Sequence, residues 1–267
     1  QMSNQIRLTI QMTNIINSKE LWTEYWEDSS DNLEVIKNKI LTKILETLGL
    51  TVPDKFKTAS TKQTIDPNAY KYMMQGKFTA LKAKSSTDIE LARSFYRKAF
   101  ECQPSYLLPK VIYAKHSFEL RKYDEGLDML KDAEEEGIKN KDYRDLVQVY
   151  LQFGIVYKQM GKYDQAIDYL KNGLRILSSD VSSRTEQEQL NIEALTLNTL
   201  GQCYTQTSKV NKSIDCFKRA IHSWRELDKP ILIATGLANL ALAHKRIGDY
   251  AKALTLGKEV IKIYDEN

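Results

Sequence analysis

The chain has 267 residues, 42% of them hydrophobic, with 39 Lys and Arg against 35 Asp and Glu and a mean hydropathy of −0.47. It is long enough to bury a sizeable core, and its polarity fits a soluble protein. A formal net charge of +4 gives no strong field for nucleic acid or anionic lipid, and we expect neither as a partner. The three cysteines, Cys102, Cys203 and Cys216, are odd in number and in no metal-ligand spacing. They argue for free thiols in a reducing compartment, hence a cytoplasmic location.

Residues 1–50 differ from the rest. Ile6, Leu8, Ile10 and Met12 alternate with Arg7, Thr9, Gln11 and Thr13, the period-two pattern of a half-buried strand over Ile6 to Asn14. Asn17-Ser18-Lys19 supplies a turn, and Leu21 to Glu27 returns as a second strand. Asp31 and Glu34 then form a capping box for a helix whose apolar stripe is Leu33, Ile36, Ile40, Leu41, Ile44, Leu45 and Leu48, ended by Gly49. A lone hairpin with one helix buries little apolar surface. We therefore expect its edge to pair with a second copy, forming a homodimer through Ile6 to Asn14, or the hairpin to dock on the helix and the first repeat. Residues 51–67, polar and bounded by Pro53 and Pro67, read as a linker.

From residue 68 a pattern of small and large residues recurs. The units lie near 69–104 (Tyr72, Gly76, Ala92, Tyr96, Ala99, Pro104), 107–138 (Ala114, Gly126, Leu130, Ala133), 147–178, 194–225 (Leu197, Leu200, Gly201, Tyr204, Phe217, Ala220) and 234–265 (Leu237, Leu240, Ala241, Ala253). The third is the fullest: Tyr150, Phe153, Gly154 and Tyr157 share one helical face, and Ala166, Leu170 and Gly173 another. Gly154 is expected to face Ala166 where the two helices cross. The apolar run Ile231 to Ala243 is too short to span a bilayer and reads as a packed helix.

Tyr150-x2-Phe153-Gly154-x2-Tyr157 followed by Ala166-x3-Leu170 resembles the tetratricopeptide repeat, whose period is 34 residues. Here the equivalent small residues Gly76, Ala114, Gly154, Gly201 and Ala241 are 38, 40, 47 and 40 apart. Extra residues must lengthen helices or loops, most of all at the polar stretch Ser178 to Glu188. The resemblance implies a mostly α protein: a right-handed α-solenoid of about five helix pairs, behind a small α/β piece. Residues 1–50, through the strand, Leu21-Trp22, Tyr25 and the following helix, resemble the end of a TolB-amino-terminal-like or FlgO-like domain. That resemblance implies a larger bacterial signalling protein, with an adenylate or guanylate cyclase as one parent. The chain opens on Gln1, and we expect the remaining strands of that domain to precede it.

Chemistry is sparse. The sequence has no Gly-rich phosphate loop, no nucleophile elbow and no H-E-x-x-H. His116, His222 and His244 are widely spaced, and His244, at the place of Tyr157, reads as packing. Glu134 to Glu136 read as a solvated face, and Trp22, Trp26 and Trp224 as packing aromatics. We expect no catalytic residue, cofactor or metal. In stacked helix pairs the first helices line a concave face. This makes Lys77, Lys115, Gln148, Lys158, Asn198, Gln202, Thr205, Asn239 and Lys245 candidates for a groove that takes a peptide or protein partner. The amides of Asn198, Gln202 and Asn239 invite comparison with a carboxylate clamp, whose paired basic residues have no counterpart here. The alternative is that these polar groups are only solvated.

Overall fold

The computed structural model describes residues 5–14, 19–29, 33–49, 65–179 and 185–266. Strands β1 (Gln5–Asn14) and β2 (Lys19–Ser29) form an antiparallel hairpin, with Gln5 opposite Ser29 and Asn14 opposite Lys19. Met12 faces Trp22 but Thr13 faces Glu20, so Leu21 is an extra residue on β2 and the ladder bulges there. Helix α1 (Leu33–Thr47) follows. It closes as the sequence implies, with Gly49 at a φ of +67°, a conformation that costs glycine nothing. The expected turn at Asn17 and Ser18, the Asp31 cap and most of the linker lie outside the described residues.

Among the described residues ten helices follow in consecutive antiparallel pairs: α2 (Pro67–Leu81) with α3 (Ser86–Cys102), α4 (Leu107–Glu119) with α5 (Tyr123–Lys139), α6 (Tyr143–Gln159) with α7 (Tyr163–Ser178), α8 (Glu186–Gln206) with α9 (Val210–Glu226), and α10 (Pro230–Arg246) with α11 (Tyr250–Glu266). The chain forms two compact units, Gln1–Tyr106 and Leu107–Asn267. The hairpin, α1 and the first pair belong to the first; the other four pairs belong to the second. The mostly α fold of tetratricopeptide-type helix pairs read from the sequence is thus observed, with a small strand-bearing piece before them in the chain.

The long period has a simple origin. From α9 onward a 17-residue helix, a three-residue connection, another 17-residue helix and another three-residue connection repeat, giving the observed 40. The 47-residue interval combines a longer connection, residues 179–185, with the 21-residue α8. Each three-residue connection is closed the same way. Its middle residue is left-handed (Arg121, Lys141, Gly161, Ser208, Asp228, Gly248), and the next N–H reaches back five residues, as from Lys162 to the Tyr157 carbonyl at 2.8 Å. This is the Schellman closure, which satisfies carbonyls that a helix end leaves unpaired. Only two of the six left-handed positions carry glycine.

Where paired helices cross, glycine makes room for one large side chain. A Cβ on Gly154 would lie 2.4 Å from Leu170 Cγ, and one on Gly201 2.7 Å from the Phe217 ring. In the second pair the roles reverse, with Gly126 of α5 lying under Phe118 of α4. The side chain nearest a Cβ on Gly154 is therefore that of Leu170, one turn beyond the expected Ala166. Within the second unit one cluster of buried residues runs from Val111 to Trp224, and a smaller one from Phe217 to Leu256 joins α9, α10 and α11.

Candidate functional site

In the second unit the first helices of successive pairs touch in sequence: α4 with α6, α6 with α8, and α8 with α10. Side chains on this face bridge from one pair to the next. The Lys158 ammonium on α6 donates to Gln202 Oε1 on α8. Asn239 Nδ2 on α10 donates to Asn198 Oδ1 on α8 at 3.0 Å. Arg246 on α10 donates to the Thr205 carbonyl at 2.8 Å and to Gln206 Oε1 at 3.2 Å. These bonds form a polar ladder across three helices, and such charge-assisted or amide bonds hold side chains in defined positions.

Four of the nine sequence-predicted residues, Lys158, Gln202, Asn198 and Asn239, are brought together on this ladder. Lys158 is half-buried, and its burial lowers its pKa from the ordinary lysine value. Gln148 on α6 is half-buried and Lys245 on α10 exposed. Lys115 on α4 is exposed and pairs loosely with Glu119 at 3.9 Å. Thr205 is turned away from the face. It is 3% exposed, and its hydroxyl lies against the Gly201 carbonyl and Ser213 Oγ, between α8 and α9. Lys77 is exposed on α2, in the first unit. Arg246 and Gln206 join the ladder without having been singled out, because the carbonyl that Arg246 uses carries no sequence signal.

Between α6 and α7 lies an aromatic stack. Phe153 and Tyr169 lie 4.3 Å apart between ring centroids, with Tyr157 stacked 5.9 Å from Phe153. Burial pushes the Tyr169 hydroxyl up to about 12, helped by Glu134. Glu134 is half-buried, and its pKa is raised by desolvation even though Tyr150 donates a hydrogen bond to it. The acidic run is therefore not wholly a solvated face: Glu134 is recruited by Tyr150, while Glu135 stays exposed. Trp224 is fully buried, as a packing aromatic. His116 lies 2.7 Å from Glu119, His222 3.0 Å from Glu226 and His244 3.0 Å from Asp249. Among the described residues no three His, Cys, Asp or Glu side chains are grouped to hold a metal, and no helix is long and apolar enough to cross a membrane.

Two family models described as tetratricopeptide repeat match the chain, over residues 147–176 and 192–266. These are the α6/α7 pair and the last two pairs. No curated protein matches the sequence. Among solved structures the chain is similar to MamA from Desulfovibrio magneticus RS-1 (13% identity, 76% of this chain and 98% of that one, TM-score 0.54). It is also similar to BtubC from P. vanneervenii (15%, 74% and 89%, 0.55) and to PilF of Pseudomonas aeruginosa (16%, 73% and 76%, 0.57). At these identities the likeness establishes the fold.

Proposed function

We propose that the second unit is a non-catalytic protein-interaction module that takes an extended or helical segment of a partner protein along the face formed by α4, α6, α8 and α10. The observation that carries this reading is the ladder of Lys158, Gln202, Asn198 and Asn239. It ties three successive first helices together and holds amide and ammonium donors in a row. A pre-ordered row loses little side-chain entropy when a ligand's carbonyls or carboxylates arrive. The experiment is selection of binders from a displayed random-peptide library on the full chain. Peptides retained by the wild type should bind the Lys158→Glu, Asn198→Ala, Gln202→Ala variant at least about tenfold more weakly, the loss expected of a few hydrogen bonds. Peptides that bind both proteins equally would remove the face from consideration.

We further place the module in the cytoplasm, inside a larger bacterial signalling protein. The support is the resemblance of residues 1–50 to a TolB-amino-terminal-like or FlgO-like domain, together with the hairpin and α1 in that stretch. A second reading from the same resemblance is the regulatory region of an adenylate or guanylate cyclase. The gene sequence upstream of the Gln1 codon separates the two, since a cyclase catalytic segment there supports the second and another effector supports the first.

A further inference from the structure

The last helix carries a stripe that fits none of its own neighbours. Tyr250, Leu254, Ile261 and Tyr264 are 67%, 63%, 62% and 54% exposed. With Gly257 between them they fall at offsets of 0, 4, 7, 11 and 14 residues, a single narrow line along α11. A Cβ added at Gly257 would meet nothing within 4 Å. The buried side of α11 is a different one, formed by Leu256, Val260 and Ile263 packed on α9 and α10.

In the interior helices the same offsets are covered. On α9 they are Val210, Ile214, Phe217, Ile221 and Trp224. The last three are 1%, 3% and 0% exposed, and α10 comes so close that a Cβ on Gly236 would lie 2.6 Å from Ile221. On α7 they are Tyr163, Ile167, Leu170, Leu174 and Leu177, all buried or half-buried. The stripe on α11 therefore has the composition of a stacking surface, and no helix among the described residues stacks on it.

We infer that this stripe is a homodimer seam, covered by α11 of a second copy running antiparallel about a two-fold axis at Gly257. The stripe reads nearly the same in both directions. Tyr250 lies seven residues before Gly257 and Tyr264 seven after, while Leu254 lies three before and Ile261 four after. An antiparallel partner thus sets tyrosine against tyrosine, the branched aliphatics against each other, and glycine against glycine. A two-fold contact requires this self-complementarity. The central glycine lets the two helix axes approach closely. No charged side chain lies in the line itself. The four large residues expose on the order of 500 Å² per copy, so a pair buries roughly the 1,000 Å² at which specific interfaces begin.

Two measurements on the full chain test this. Sedimentation equilibrium over a concentration series should show a dimer for the wild type. It should show self-association at least about a hundredfold weaker for Leu254→Glu, Ile261→Lys, because charges would then be buried at the seam. Both positions are exposed in the single chain, so the variant folds, and circular dichroism verifies it. In a Cys102→Ser background, Gly257→Cys should give a covalent dimer on mild oxidation, since a disulfide needs α-carbons about 4–7 Å apart. Thr255→Cys, on the polar side, should not. A wild type that is monomeric throughout, a dimer indifferent to the two charges (as pairing through the edge of β1 would give), or equal crosslinking at both positions would each overturn the proposal.

Discussion

The α6/α7 and α10/α11 pairs match in helix and connection length to within one residue, yet they place glycine on opposite helices. In α6/α7 the first helix offers Gly154 and the second fills the gap with Leu170. At the equivalent places α10/α11 has Ala241 and Gly257, so the large side chain that locks the crossing is gone. The close approach has moved one interface back, where Gly236 of α10 receives Ile221 and Trp224 of α9. The burial follows: α7 has five buried residues and α11 has one, Leu256. A repeat unit therefore combines two separable contacts, one within the pair and one to the next pair, and among the described residues α10/α11 has no large side chain at the first and no following pair for the second. Since stability in such arrays sums unit and neighbour terms, the interior pair should be the firmer of the two.

The sharpest way to break that comparison is to remove one leucine from each pair. Leu170→Ala leaves a cavity at a fully buried crossing and should destabilise by about 2–5 kcal/mol. Leu254→Ala, on the exposed stripe, should stay within about 0.5 kcal/mol in urea titrations of the dissociated chain. Equal losses would mean that the two pairs are equally packed. A smaller effect comes from Gly154→Ala. The new methyl would meet Leu170 Cγ at 2.4 Å, so we expect a loss of about 1–3 kcal/mol from overpacking. This outweighs the roughly 1 kcal/mol that alanine gains over glycine inside a helix.

The interior pairs also hold the buried thiols. Cys203 on α8 and Cys216 on α9 are each pushed by burial from an ordinary 9.0 up to about 11. The folded state keeps both protonated, while the unfolded chain begins to ionise near 9. Their contribution is therefore complete below pH 9 and is lost as pH rises toward 11. Stability followed from pH 8 to 10 should fall, and fall less in a Cys203→Ala, Cys216→Ala variant. A profile unchanged by removing both thiols would show that they ionise alike in the two states.

How much of this was legible in the sequence depends on whether a residue's partner is near in sequence or on another repeat. Gly154, Tyr157 and Leu170 announce a helix pair because their spacing is local. Pro67, read as the close of the linker, is instead the first residue of α2, and Pro230, which was not singled out, opens α10 in the same way, since proline suits the first turn of a helix. The left-handed Arg121, Lys141, Ser208 and Asp228 were not legible, because the closure is made by backbone bonds that any residue can supply at some strain. Of the candidate groove residues, Lys158, Gln202, Asn198 and Asn239 were placed on the first helices by their spacing, but the bonds that pair them between repeats were not legible. Thr205 misled, because its hydroxyl prefers the buried Gly201 carbonyl and Ser213 to solvent. The exposed stripe on α11 was not singled out, because Tyr250 and Leu254 are of the same kind as the residues that pack at these offsets on α7 and α9.

The smallest effect is the most discriminating, because it is the same substitution with the opposite sign. Gly257 lies mid-helix with open space around a would-be Cβ. Gly257→Ala adds no clash within the chain, and it removes unfolded-state freedom that glycine has in excess. In the monomeric Leu254→Glu, Ile261→Lys background it should stabilise by about 0.5–1 kcal/mol. The dissociated background is needed because the same methyl would crowd a two-fold crossing at that residue. A loss there, matching the loss at Gly154, would mean that α11 is packed at Gly257 as α6 is at Gly154. The distinction between the α6/α7 and α10/α11 pairs would then fail at its central residue.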